Sequence, residues 1–168
     1  SDDVQRSSFW VLHANLNGYA THGIDIEVEL ETMAKKPDMV FLNETKTDKG
    51  VPDMTLTGYV LLCRRDRGSK NRGGGIAVFV LETKVTKFSL LEKSADHERC
   101  WILAHTDEGP ILLACWYRPP RPGNTDCIRA LQTELLSHRP GCVGTAIIGD
   151  VNAHNRRWLR FSSADSPE

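Results

Sequence analysis

No stretch of this sequence is apolar for long enough to cross a membrane as a helix, and the opening SDDVQRSS lacks the apolar core of a signal peptide. Neither charge dominates: 21 Lys and Arg against 22 Asp and Glu leave a formal net charge of −1. That balance excludes a broadly basic nucleic-acid coat, so any polyanion must be met by a local patch. Cysteine is sparse and badly spaced for bridging. Cys63, Cys100, Cys115, Cys127 and Cys142 are scattered and include no Cys-x-x-Cys pair. They argue against a disulfide frame or a zinc site and for a reducing, intracellular compartment. Internal repeats and low-complexity segments are lacking too. What remains is a globular composition, 40% hydrophobic and 26% charged, in 168 residues. That length suits one domain with a substantial core and is short for two.

The hydrophobic pattern predicts a run of strands with few helices. Phe9–Ala14 reads as a first strand, Asp25–Lys36 as a helix with Ile26, Leu30 and Met33 on one face, and Met39–Glu44 as the next strand. Pro37 and Asp38 separate the last two. Strands are expected at Tyr59–Cys63, Ile76–Leu81, Lys84–Leu91, Arg99–His105 and Ile111–Tyr117. Short turns between the later ones predict antiparallel neighbours. Thr125–His138 reads as a helix capped by Thr125 or Asp126, with Ile128, Leu131, Leu135 and Leu136 inward and Pro140-Gly141 as its stop. Ala146–Ile148 is a short buried strand, and Ser162–Glu168 a polar tail expected to be disordered.

Polar residues collect just where these strands end. Asn15 and Asn17 follow the first, with Gly18 allowing a sharp turn; Glu44 closes the second; Tyr117 and Arg118 close the strand ending in CWYRPP; Asp150 and Asn152 follow Ala146–Ile148. Residues two apart at a strand end share a face, so Asp150 and Asn152 are expected to point together. A carboxylate can take a proton from water, and a carboxamide can donate to an anionic oxygen. The same Asp-x-Asn also suits a simple turn that holds its own backbone. Glu44 has two readings as well: a salt bridge to Lys46 or Lys49, or a ligand to a hard cation such as Mg²⁺. The most basic stretch, RRDRGSKNRGGG (64–75), is either a solvated hairpin loop or a phosphate-backbone contact through Arg64, Arg65 and Arg72.

The joint order of these pieces is more specific than any one of them. HANLNG, LNETK, GGGIAVFV, CWYRPP and GDVNAHN occur in the order of the motifs of the endonuclease/exonuclease/phosphatase superfamily, which the chain resembles from about Phe9 to Trp158. Its nearest likeness is the apurinic/apyrimidinic-endonuclease-like domain of non-LTR retrotransposons. The resemblance implies a deoxyribonuclease-I-like fold: an α+β layered sandwich of two mostly antiparallel sheets flanked by helices. It implies Mg²⁺-dependent hydrolysis of DNA phosphodiesters, with Mn²⁺ as a possible substitute. Glu44 would bind the metal with Asn17 nearby. Asp150 would orient and deprotonate the attacking water, while Asn152, Asn15 and Tyr117 hold the scissile phosphate. Beside these, the basic stretch with Arg64, Arg65 and Arg72, and Arg118 next to Tyr117, are the residues expected from their own charge to meet the DNA. A downstream reverse transcriptase and a nuclear location are expected if the chain is part of a retrotransposon protein.

Three positions depart from the superfamily pattern. Asn17 stands where DNA-repair relatives usually carry Asp, and Pro120 where many have Asn. The late catalytic Asp and Ser-Asp-His motif have no counterpart after Asp150, and His154 belongs to GDVNAHN. The sequence therefore reads as the first two-thirds of the domain, an incomplete unit over 1–161, with uncovered apolar surface, a free strand edge and impaired activity expected. Two alternatives stand beside the nuclease reading: a phosphomonoesterase of the same fold, and a non-catalytic relic that binds nucleic acid weakly.

Overall fold

The computed structural model describes residues 8–48, 50, 52–67, 73–120 and 125–152. The expected tail, together with Arg72 and His154, lies outside the described residues. Two four-stranded sheets form the centre. The first has the order β1-β2-β4-β3, from Val11–Asn15, Met39–Asn43, Ile76–Leu81 and Tyr59–Arg65. The second has the order β5-β6-β7-β8, from Phe88–Lys93, Glu98–Thr106, Gly109–Tyr117 and Gly144–Asp150. Helix α1 (Tyr19–Thr32) joins β1 to β2, and α2 (Asp126–His138) joins β7 to β8.

Alternation along the strands builds the layers. Met39, Phe41, Ile76, Val78 and Val80 face Cys100, Ile102, Leu113, Cys115 and Tyr117 in the core between the sheets. The intervening Val40, Leu42, Ala77 and Phe79 pack under Ile26 and Leu30 of α1. Trp101, Leu112 and Ala114 pack under Leu131 and Leu135 of α2. Both faces of the central strands are thus covered, which is why IAVFVL reads as a continuous apolar run rather than an alternating one.

Each sheet contains one parallel pair, β1 with β2 and β7 with β8, and two antiparallel pairs. A parallel pair needs a long crossover, and α1 and α2 supply the two. In register, Asn15 lies opposite Asn43 and Tyr117 opposite Asp150. The carboxyl ends of four strands therefore gather in two pairs, one on each sheet.

Three expectations are corrected. Lys84–Leu91 is not one strand: Glu82–Lys87 forms a 3-10 helix, and the strand is Phe88–Lys93. This turn carries the chain from the first sheet to the second, so β4 and β5 are not neighbours. Lys84 holds the crossing by pairing with Asp38, whose side chain is buried and also accepts the Trp10 N–H. Helix α1 begins and ends earlier than periodicity suggested, because Tyr19 N–H bonds to the Thr45 carbonyl and Met33 is already extended. On α2, Ile128 is 45% exposed and Leu136 61%. The helix is turned instead to present Glu134 to the sheet. That carboxylate accepts Arg99 Nε at 2.6 Å and Nη2 at 2.9 Å, Trp101 Nε1 at 2.6 Å and Ser94 Oγ at 2.8 Å. The Arg99 side chain is fully buried, so it needs this counter-charge.

Candidate functional site

The first sheet delivers two loops that are stitched together by backbone. Leu16 N–H bonds to the Asn43 carbonyl, Gly18 N–H to Glu44 and Tyr19 N–H to Thr45, each at 2.8 Å. On the other side Lys46 N–H bonds to the Gly74 carbonyl at 2.8 Å. Gly75 sits against this crossing with φ +92°, and a Cβ there would run into Thr45 Oγ1. The GGG run is therefore required in part by close approach, not only by turn geometry.

Asn17, Glu44, Lys46 and Asn152 have φ values of 51°, 52°, 53° and 45°, and among the described residues they are the non-glycine residues with positive φ. All four lie in the loops at this end of the sandwich. Such conformations cost of order 1–3 kcal/mol each and persist only where surrounding structure imposes them, as at ligand-binding sites.

The second sheet brings Tyr117 and Asp150 to the same place. Asn15 Nδ2 donates to Glu44 Oε1 at 3.2 Å and to Asp150 Oδ2 at 3.0 Å, so one carboxamide lies between two carboxylates from different sheets. Tyr117 Oη donates to Glu44 Oε1 at 2.9 Å. Burial first, and then the Glu44 hydrogen bond and charge, push the Tyr117 hydroxyl up to about 12. It stays a protonated donor across the neutral range. Beneath these groups the buried Asn43 amide donates through Nδ2 to the Trp116 carbonyl at 2.9 Å, and its Oδ1 accepts from His13 Nε2–H at 2.7 Å. Asn43 precedes Glu44 and Trp116 precedes Tyr117, so this bond ties together the strands that carry both.

Asp150 serves the turn and the cluster at once. Its Oδ1 accepts Asn152 N–H at 3.1 Å, closing the small turn, while Oδ2 faces Asn15. Asn152 Nδ2 donates to the Arg118 carbonyl at 2.7 Å, and Arg118 N–H bonds to the Asp150 carbonyl at 2.8 Å. Gly149, just before, has φ +154°, and a Cβ there would overlap the Trp116 carbonyl. Only glycine lets β8 approach β7 this closely.

Cationic side chains flank the cluster. Lys46 Nζ donates to Asn17 Oδ1 and lies 3.9 Å from Glu44 Oε2. Arg67 stands over the Tyr117 ring, 5.4 Å from its centroid, and pairs with Glu98 at 2.7 Å. Two of the anticipated DNA-facing arginines, Arg64 and Arg65, spend their guanidinium groups on other partners. Arg64 bonds to Asp66, to the Pro52 carbonyl at 3.1 Å and to the Asp48 carbonyl at 2.6 Å, bracing the loop beneath it. Arg65 bonds to the His97 carbonyl at 2.6 Å and to Ala95. Arg118 does border the site, with Nη1 3.4 Å from the Val151 carbonyl.

Among the described residues no group of three His, Cys, Asp or Glu side chains is arranged to hold a metal ion. A hard cation does not need one, since Mg²⁺ is commonly held by one or two carboxylates with waters and phosphate oxygens. Glu44 and the Asn17 amide oxygen fit that donor chemistry, and the Lys46 ammonium beside both shows that the place attracts positive charge.

No protein-family model and no curated protein matches the sequence. Solved structures do match. AP endonuclease LMAP from Leishmania major is similar at TM-score 0.66 and 16% identity, over 93% of this chain and 59% of that one. The endonuclease domain of TRAS1, a telomere-specific non-LTR retrotransposon, is similar at 0.58 and 17%, over 89% and 63%. The fold is the deoxyribonuclease-I-like layered sandwich. The 3′ phosphatase NExo from Neisseria, bound to product DNA hairpin, shares this sandwich at TM-score 0.59 and 13% identity, over 91% of this chain and 64% of that one. The chain therefore spans between 59% and 64% of the length of these three structures.

Asn43, Lys46 as a partner of Asn17, and Arg67 escaped the sequence reading of the site. Asn43 had a signal: a carboxamide closing the otherwise apolar strand MVFLN needs a buried partner. Arg67 had none, being one of five cations in a basic loop.

Proposed function

We propose that this site hydrolyses phosphodiester bonds in DNA with the help of a divalent cation, Mg²⁺ or Mn²⁺. One observation carries the reading: the Asn15 amide contacts both Glu44 and Asp150, so a carboxylate suited to a hard cation and a carboxylate suited to activating water lie on either side of one donor. Glu44 and Asn17 would hold the ion, which when bound supplies positive charge to neutralise the phosphate. Asp150 orients a water and accepts its proton. Asn15, Asn152 and the Tyr117 hydroxyl donate to the phosphate oxygens, where negative charge builds up in the transition state. Tyr117 suits that role because it does not ionise at working pH. The kinds of protein that share the fold, among them an AP endonuclease, a retrotransposon endonuclease domain and a phosphatase bound to product DNA, support nucleic acid as the substrate class. The retrotransposon domain, together with CWYRPP and GDVNAHN, supports nicking of a target duplex.

The test is nicking of supercoiled plasmid with Mg²⁺. Activity that disappears on Glu44→Ala and on chelation supports the reading. Salt-sensitive DNA binding without nicking supports the non-catalytic alternative instead.

A further inference from the structure

Lys46 is placed in a way that neither a surface lysine nor a simple salt bridge explains. We propose that its ammonium is an internal counter-cation for the seat formed by Glu44 and Asn17, and that a divalent ion enters only by displacing it. The inference rests on the assignment of Glu44 and Asn17 as the metal-holding pair. The Nζ atom hydrogen-bonds to Asn17 Oδ1 and stands 3.9 Å from Glu44 Oε2, so among the described residues its acceptor partners are the two groups named as ligands.

The backbone is built to hold the side chain there. Lys46 has φ 53° and Glu44 φ 52°, two left-handed residues flanking Thr45, and Lys46 N–H is tied to the Gly74 carbonyl. The aliphatic stem passes over Gly18, with Cδ 3.8 Å from where a Cβ would stand. Glu44 and Asp150 share one amide donor, so two carboxylates meet in one place. The ammonium offsets part of that charge. A lysine on a flexible stem can also withdraw to water at small cost, because its head is strongly hydrated, and the Lys46 side chain is 36% exposed. Ammonium and divalent ion cannot share the seat, since like charges at contact repel. Lys46 thereby weakens metal affinity while keeping the metal-free site assembled.

Binding of Mn²⁺, followed by electron paramagnetic resonance and calorimetry, tests this in the wild-type chain and in Lys46→Met, Lys46→Gln and Glu44→Gln. Loss of one charge-assisted hydrogen bond that the ion must otherwise break should tighten Mn²⁺ binding in both lysine variants by roughly tenfold or more. In chelator the same variants should melt at lower temperature than wild type and gain more from added Mn²⁺. If Glu44→Gln abolishes binding while both lysine variants bind as wild type or more weakly, the counter-cation role is overturned and the metal-holding pair stands. If Lys46→Met weakens only DNA binding, with Mn²⁺ affinity unchanged, the lysine is a phosphate contact and the inference fails. If no protein binds Mn²⁺ saturably, or Glu44→Gln binds as wild type, the metal assignment fails and the inference with it.

Discussion

Replacing Glu134 by Gln tests how the second sheet is held in place to present Asp150. Glu134 lies on α2, the crossover between the strand that ends in Tyr117 and the strand that ends in Asp150. Burial raises its carboxyl pKa, but hydrogen bonds from Arg99, Trp101 and Ser94 outweigh that and hold it at about 2, down from 4.5. A fall of that size corresponds to roughly 3 kcal/mol in favour of the charged, folded form. An independent route gives a similar figure: breaking a buried ion pair by removing one partner costs about 3–5 kcal/mol, and Arg99 is fully buried. The sign follows from the depressed value. The contribution is complete above pH 4.5 and is lost as pH falls towards about 2. Glu134→Gln mimics the protonated state at every pH. Urea unfolding followed by tryptophan fluorescence, to which Trp101 contributes, should therefore show a deficit of about 3 kcal/mol at pH 7 that shrinks below pH 4.5. A deficit under about 0.5 kcal/mol at pH 7, or one that does not change on acidification, would refute the reasoning.

Other outcomes follow from the same geometry. Gly149→Ala should disrupt the pairing of β8 with β7 and lower the melting temperature by several degrees, roughly the effect of 1–3 kcal/mol of overpacking, read by differential scanning calorimetry. Asn43→Leu removes the amide that ties β2 to β7 and leaves the buried Trp116 carbonyl without that donor. It should cost about 1–3 kcal/mol in urea unfolding and reduce nicking more than DNA affinity. Among the described residues β8 is an edge of its sheet, and Ile147 on it is 38% exposed. The chain should associate with rising concentration in light scattering, and Ile147→Lys should reduce that association.

Much of the candidate site was legible because the same local event repeats: an apolar strand runs out and a polar residue closes or follows it. Asn15, Glu44, Tyr117 and Asp150 each stand at such a point, and two parallel strand pairs were enough to bring them to one edge. What stayed hidden depended on partners distant in sequence. The inward face of α2 could not be read from Ile128 and Leu136, because Arg99 in β6 pulls Glu134 to the sheet and turns both leucine-type positions outward. The break at Glu82–Lys87 depended on Asp38, buried behind the turn and waiting for Lys84. Arg64 and Arg65 looked available because a basic loop resembles a phosphate contact in sequence. Their acceptors, the carbonyls of Asp48, Ala95 and His97, are backbone groups that no side-chain motif announces.

The account depends on Glu44 and Asp150 acting on one phosphate from two different sheets. A kinetic double-mutant cycle on plasmid nicking, with Glu44→Gln, Asp150→Asn and the pair, measures this directly. Each single change should reduce the rate by about a hundredfold or more, and the pair should lose little beyond the worse single variant, as for groups that work as a unit. Losses that simply multiply, or a neutral result for either residue, would contradict it.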